Sequence, residues 1–479
     1  MSEGSRNCAT RDDRAYWQLQ LVDPDPPVSH VMGICGFTAG DIDSDGHIEL
    51  FAGGDGALLW YRPATFERGI IAEGRFHVGL AIEDVDEDGR PEVVTSEYAP
   101  DGRVVWFKPG ENLHDPWAMH VIDPDVRGCH DVVFADIDGD GKNELVTAAI
   151  TAGVVDIYKP GADVTQPWRR RTISIDKKLR EGTDLADVNG DGRMEIMCGP
   201  SLFTCSGDEP FGDAWIETPI TRNFRNMCRA AFVDISGNGR SDILMCESEY
   251  QEGKFSWFEN LYQENPEAPW KEHEIDYGLT FGHSMQILAG GRDAIKVFLA
   301  EMAEGGWNAP RNRDARIMTY ETKDKGMSWE CTVHSRGQGI HQAFLMDVDG
   351  DGEEEIVGKE WKRAQVQVFK RLPERPPFTR FKHHYIDLDK PYSGIEILPC
   401  DIVGNGRSDI ACGAWWYRNP DWKRFEIPGI EQVVAEADLD GDGRRELVCL
   451  DKPDGETAVP SWRNRTRKSF MDRPHQRVS

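Results

Sequence analysis

Short apolar runs recur along this chain, most alternating with polar residues and each bounded by Gly, Pro or Asp. In VVFADIDGDGKNELVTAA (132–149) one such run leads into an acidic loop and a second leaves it. Alternation over so few residues marks a β-strand, because successive side chains point to opposite faces. A third run carries aromatics: LLWYRP (58–63), VVWFKP (104–109), FSWFEN (255–260) and WWYRNP (415–420). A fourth opens with Trp and alternates: WAMHVI (117–122), WRRRTI (168–173), WKEHEI (270–275) and WKRFEI (422–427). No segment has the period of a long amphipathic helix.

The acidic loop marks the repeat. It appears as DIDSDGHIE (41–49), DVDEDGRPE (84–92), DIDGDGKNE (136–144), DVNGDGRME (187–195), DISGNGRSD (234–242), DVDGDGEEE (347–355), DIVGNGRSD (401–409) and DLDGDGRRE (438–446). The wide gap after 234 accommodates a degenerate copy around HSMQILAGGRDAIKVFLAE (283–301). Four strands per repeat at roughly 45–50 residues predict an all-β chain, a β-propeller of four-stranded blades. The count is nine repeat units, with eight or seven blades possible. WQLQLVDPDP (17–26) echoes WAMHVIDPDV (117–126) yet precedes the first repeat, whereas the last repeat lacks a fourth strand. An N-terminal strand completing that last blade would close the ring and remove open sheet edges. The expected division is an extension over 1–15, one propeller domain over 16–463 and a basic tail over 464–479.

Each loop sets side-chain oxygens at positions 1, 3, 5 and 9, with glycine at 6 for a sharp turn. Hard oxygen donors in a flexible loop suit Ca²⁺. Six copies carry a full ligand set: Asp41, Asp43, Asp45 and Glu49; Asp84, Asp86, Asp88 and Glu92; Asp136, Asp138, Asp140 and Glu144; Asp187, Asn189, Asp191 and Glu195; Asp347, Asp349, Asp351 and Glu355; Asp438, Asp440, Asp442 and Glu446. The loops at 234 and 401 are weaker, with Ser236, Asn238, Val403 and Asn405 replacing acids. Flanking strands exclude an EF-hand, and the metal's role in these loops is structural.

Composition narrows the partners. A net charge of −29, from 84 acidic against 55 basic residues, excludes nucleic acid, which needs a basic surface. No apolar run approaches the roughly 18 residues that span a bilayer, so no membrane partner is expected. The start MSEGSRNCATRDDRAYW has no signal-peptide pattern, and a cytoplasmic location is the expectation. Eleven cysteines, several inside apolar strands and without paired CxxC spacing, read as buried free thiols.

The loops and the aromatic third strands resemble the FG-GAP/VCBS type of propeller repeat across nearly the whole chain. A narrower resemblance, carried by GRVVWFKPGENLHDPWAMHVIDPDVRGCHDVV (102–133) and GQGIHQAFLMDVDGDGEEEIV (337–357), is to the propeller part of aldos-2-ulose dehydratase/isomerase. That resemblance implies a metal-dependent lyase acting on keto-sugars. The family's propeller has seven blades, and its following cupin domains have no counterpart here after residue 450.

His130 precedes the first Asp of its loop by six residues, and His341 holds the same place in its own repeat. The first strand of a propeller blade is innermost, so residues of this register converge at one mouth of the channel. The convergent set is His77, His130, His283 and His341 with Glu181, Arg229 and Glu396. Imidazoles there can bind a divalent metal, Zn²⁺ or Mg²⁺, or exchange protons near neutral pH, and arginine can hold an oxyanion. This inventory suits elimination or dehydration of a carbohydrate-like small molecule. An isomerase or cyclase using the same pocket, or a non-catalytic propeller binding glycan or protein, are the alternatives.

Overall fold

The computed structural model describes residues 8–12, 16–23, 26–29, 33–98, 102–125, 128–150, 152–175, 179–288, 294–304, 311–360, 365–372, 386–387, 397–403, 405, 407–437, 446–451 and 462–465. All regular elements among them are strands. Where the repeats suggested one domain over 16–463, the chain forms two compact units, Met1–Pro376 and Pro377–Ser479. The junction falls within the Pro-rich sequence LPERPP (372–377).

Four sheets of the first unit are built on four-stranded antiparallel meanders: Cys129–Ala135 to Arg169–Ile175, Thr183–Ala186 to Trp215–Pro219, Cys228–Val233 to Trp270–Leu279, and Gly282–Leu288 to Trp329–Arg336, the last with one further edge strand. The last of these is the degenerate repeat, which folds like its neighbours without an acidic loop. Before them, two repeats merge into one six-stranded sheet spanning Ile34–Gly40 to Ala118–Asp123. Its long strands Glu49–Arg62 and Glu67–Glu83 change partner midway, so Glu67–Glu83 closes one repeat and opens the next.

The N-terminal strand Tyr16–Asp23 pairs antiparallel with Val366–Leu372 and completes the sheet of Gln342–Met346 and Glu355–Lys359. This differs from the expectation that it completes the last repeat. The extension also contributes a strand: Cys8–Asp12 lies parallel on Trp329–Arg336. Removing residues 1–23 is expected to leave Val366–Leu372 with an open edge, read as aggregation by light scattering.

Successive sheets of this unit pack face to face around separate apolar cores. Val94, Trp106 and Ile122, for example, meet Leu145, Tyr158 and Trp168, and Phe37, Leu50 and Leu59 of the first repeat meet Val348, Val357 and Val368 of the seventh. First strands also lie side by side in chain order, and Gln342–Met346 lies against Ile34–Gly40. Polar side chains stitch these strands together: Asp184 accepts from Phe232 N at 2.7 Å, Gln286 from Leu345 N at 2.8 Å, and Gln342 from Phe37 N at 3.1 Å.

The second unit holds a four-stranded sheet, Ile397–Cys400 to Lys423–Glu426, and a three-stranded one, Ile430–Ala437, Glu446–Asp451 and Trp462–Arg465. The expected tail thus begins inside a strand. Trp415 and Tyr417 are buried in this unit's core, and Trp416 stacks on Phe425 at 4.5 Å between ring centroids.

Candidate functional site

Five successive sheets of the first unit deliver polar side chains to one buried cluster. His130 stands on Cys129–Ala135, Arg229 on Cys228–Val233 and His283 on Gly282–Leu288, while Glu181 and His341 immediately precede first strands. Glu181 is pinned by a parallel bridge to Met227. Beside it, Gly182 (φ +86°) fits because a Cβ there would lie 2.4 Å from the Cys228 carbonyl oxygen.

Glu181 is the hub and is fully buried. Its Oε1 accepts from the Ser248 hydroxyl. Its Oε2 lies 2.8 Å from His130 Nε2 and 3.6 Å from both His283 Nε2 and Arg229 Nη2. None of these approaches is aligned as a hydrogen bond, and Oε2 lacks a donor. His130 Nδ1 meets Asp131 Oδ1 at 2.8 Å, and the other oxygen of Asp131 accepts from Thr183 N at 2.9 Å. His283 Nδ1 donates to the His341 carbonyl at 2.7 Å, and its Nε2 lies 3.0 Å from Arg229 Nη2 and 3.3 Å from Glu249 Oε1. The His283 and His341 rings stack at 3.9 Å, and Arg229 Nε donates to the His283 carbonyl at 2.8 Å.

Lys359, buried at the end of Glu355–Lys359, donates to Ile34 O at 3.0 Å and Cys35 O at 2.6 Å, and its nitrogen lies 2.5 Å from His341 Nδ1. Burial drives its pKa down to about 7. Burial, with His283 and Lys359 nearby, holds His341 neutral, well below the usual histidine range. Burial alone would raise Glu181, but Arg229, His130 and His283 outweigh it and hold the carboxyl well below its ordinary value. Burial likewise opposes charge on His130, yet Glu181 and Asp131 push its pKa up to about 9. The seat between Glu181 and Asp131 therefore favours positive charge.

The structure thus brings together His130, His283, His341, Glu181 and Arg229. His77 sits one seam away, its Nδ1 on the Cys129 carbonyl at 2.9 Å and its ring stacked on Tyr98; burial lowers its pKa to about 4. Glu396 lies outside the described residues. Sequence reasoning missed Asp131, Ser248, Glu249 and Lys359. Lys359 left one trace, a lysine closing the apolar run EIVGK (355–359).

Three donor atoms, His130 Nε2, Glu181 Oε2 and His283 Nε2, lie within 4.8 Å of one another. Two imidazoles and a carboxylate suit a divalent transition metal. Both imidazoles carry the outer partner that metal-bound histidines ordinarily have, a carboxylate for His130 and a carbonyl for His283. The residues fit such an ion.

The acidic loops lie elsewhere, each described one between the first two strands of its repeat. Position-6 glycines adopt left-handed conformations at Gly46, Gly89, Gly141, Gly192, Gly239 and Gly352. The first Asp accepts backbone N–H groups of its own turn, as Asp84 does from Asp88 and Gly89, and the ninth acid accepts from position 2, as Glu92 does from Val85. The oxygen donor set fits Ca²⁺. The loop at 438 and the side chain of Glu446 lie outside the described residues.

Residues 41–95 and 84–147 match the FG-GAP-like repeat. The described residues thus form an all-β chain in which FG-GAP-like repeats are matched within residues 41–147. Among curated proteins the chain is similar to rhamnogalacturonan endolyase YesW of Bacillus subtilis (strain 168), 24% identical over 252 residues. That match takes in 48% of this chain and 37% of the relative, so the chain spans little more than a third of the protein it matches. The Vibrio cholerae biofilm matrix protein Bap1 is 12% identical at a TM-score of 0.35, over 91% of this chain and 81% of its own. BBS1N, in a complex with ARL6DN soaked with mercury, is 12% identical at 0.43, over 75% and 98%. YCF48 from Cyanidioschyzon merolae is 12% identical at 0.41, over 73% and 98%. No helix among the described residues is long and apolar enough to cross a membrane.

Proposed function

We propose that the first unit is a closed seven-bladed propeller and that the Glu181 cluster is the active site of a carbon–oxygen lyase acting on a carbohydrate-like substrate such as a keto-sugar. The observation that carries this reading is the convergence of His130, Glu181 and His283 from three different sheets on one buried point. The resemblance at residues 102–133 and 337–357 and the curated relative, named as a rhamnogalacturonan endolyase, support the substrate class.

His130, Glu181 and His283 would hold a divalent transition metal, whose chemistry is to polarise a substrate carbonyl. Arg229, beside the His283 ring, places positive charge where an enolate oxygen develops. His341 takes the proton next to the carbonyl at Nε2 while its Nδ1 proton passes to the neutral amine of Lys359. The proton returns by the same route to the departing hydroxyl, which leaves as water. Ca²⁺ in the acidic loops would serve the scaffold, and a cytoplasmic location agrees with the free cysteines.

The test is metal analysis after dialysis, followed by turnover of a keto-sugar panel by the metal-loaded protein. One tightly held transition metal per chain and loss of water from at least one substrate are expected. A full chain that retains no metal and turns over nothing ends the proposal.

A further inference from the structure

The third strands of four repeats carry a cation at or near their end, and each one reaches the acidic loop of its own repeat. Arg62 contacts Asp43, Asp45 at 3.4 Å and Glu49 at 3.0 Å. Lys108 contacts Asp86, Asp88 at 2.5 Å and Glu92 at 3.7 Å. Lys159 contacts Asp138, Asp140 at 2.7 Å and Glu144 at 3.2 Å. Lys370 contacts Asp349. In the first three loops the nitrogen sits among positions 3, 5 and 9, the oxygens a Ca²⁺ ion would take.

The register is encoded. Lys108, Lys159 and Lys370 each follow the aromatic residue of the pairs Val93–Phe107, Leu145–Tyr158 and Ile356–Phe369. In the fifth repeat the corresponding pair is Ile243–Phe258, and the next residue is Glu259. That is the loop whose positions 3 and 5 are Ser236 and Asn238, and Glu259 bonds instead to His273 at 2.9 Å and Lys271 at 3.2 Å. A carboxylate replaces the cation where the loop has lost its acids. In the 187 loop Thr204 holds the register after Phe203, and the Asn189 amide donates to Glu195 at 3.0 Å and Asp191 at 3.2 Å instead. In the 401 loop, with Val403 and Asn405, Arg418 turns away to Asp421 at 3.0 Å.

The tethered cation leaves acceptors over. Asp43, Asp86, Asp138 and Asp349 each keep a buried Oδ1 without a donor, and so does Oε1 of the fully buried Glu92. Four carboxylates against one cation leave net negative charge, so the loop still attracts a divalent ion.

We propose that Arg62, Lys108, Lys159 and Lys370 are built-in competitors for the divalent-cation seat of their loops. With the ion absent, Arg62, Lys108 and Lys159 bridge positions 3 and 5, Lys370 holds position 3, and the loops keep their shape. Ca²⁺ enters by displacing it into solvent, and its affinity is lowered by that exchange.

The experiment is isothermal titration of the full chain with CaCl₂ after EDTA dialysis, for wild type, Lys108→Met, Lys159→Gln and the double variant. Each substitution is expected to tighten Ca²⁺ at one loop by about tenfold or more, since affinity follows the charge balance of the ligand set, and the double variant should tighten two. Thermal melts should show wild type little changed by EDTA, and each variant destabilised in EDTA and restored by Ca²⁺. Unchanged or weaker calcium binding in the variants overturns the proposal, as does a wild type that melts much earlier in EDTA. The wild-type melt stands even if one variant fails to fold.

Discussion

Glu181→Gln is expected to empty the central metal site and abolish turnover while keeping the Ser248 contact. The amide keeps the shape of the carboxylate, and its oxygen can still accept from Ser248. The charge is lost, however, and with it the anion opposite His130, His283 and Arg229. Removing one partner from a buried charged network costs about 3–5 kcal/mol, because the remaining charge has no counter-ion. Arg229 keeps a weaker partner in Asp131 at 3.6 Å, so the lower end of that range applies, about 3 kcal/mol by denaturant unfolding. Metal content after dialysis should fall to background. A Glu181→Gln protein as stable as wild type, retaining its metal, would show that the carboxylate neither anchors an ion nor balances the cluster.

The outcome at this site explains what could be seen in the sequence. His130 and His341 stood out because both open a first strand at a fixed distance from a repeated loop, and innermost strands of a radial sheet array converge. That register also brought in Glu181 and His283, whereas Arg229 lies one residue after the equivalent position, Cys228. His77 belongs to the same pattern but is shifted by one residue, and on an alternating strand such a shift changes its neighbours; it bonds to Cys129 rather than to Glu181.

Ser248, Glu249 and Lys359 were invisible to the same reasoning because they lie at the ends of second strands. These ends return to the mouth from which the first strands start, a fact of hairpin geometry with no regular spacing in sequence. Asp131 was missed because it follows His130 directly, so alternation assigned it to the opposite face. There it bonds to Thr183 of the next sheet, and still its second oxygen reaches back to the imidazole.

The four-stranded repeat was legible, but the boundary between units was not. Each repeat is locally equivalent, and an N-terminal fourth strand complements any free third-strand edge. WQLQLVDPDP pairs with Val366–Leu372, and its Asp23 accepts from Tyr61 at 3.1 Å and Arg68 at 2.7 Å. Those two partners belong to the first repeat, so one short strand ties the seventh sheet to the first. Nothing in the local pattern of the strand specifies which edge it takes.

Lys359→Met is expected to change the pH dependence of stability more than stability itself at alkaline pH. In the unfolded chain a lysine titrates near 10.4, whereas burial lowers Lys359 in the folded protein to about 7. Between those values the unfolded state binds one proton more than the folded state, so stability rises with pH, by about 1.4 kcal/mol per unit. Below pH 7 both states are protonated, and the full cost of a buried ammonium, about 4–5 kcal/mol, is present and constant. Methionine removes that dependence and also deletes the bonds to Ile34, Cys35 and His341. The variant should therefore gain on wild type steadily from pH 9 to pH 7 in urea unfolding. Turnover should fall sharply at every pH, because His341 loses the partner that receives its Nδ1 proton. Lys359→Arg separates the two effects. Its guanidinium stays protonated at any accessible pH, so it cannot accept a proton, and it should be inactive even where it folds. Parallel pH–stability curves for wild type and Lys359→Met would mean that the buried amine does not titrate in this range, and the relay through His341 would be abandoned.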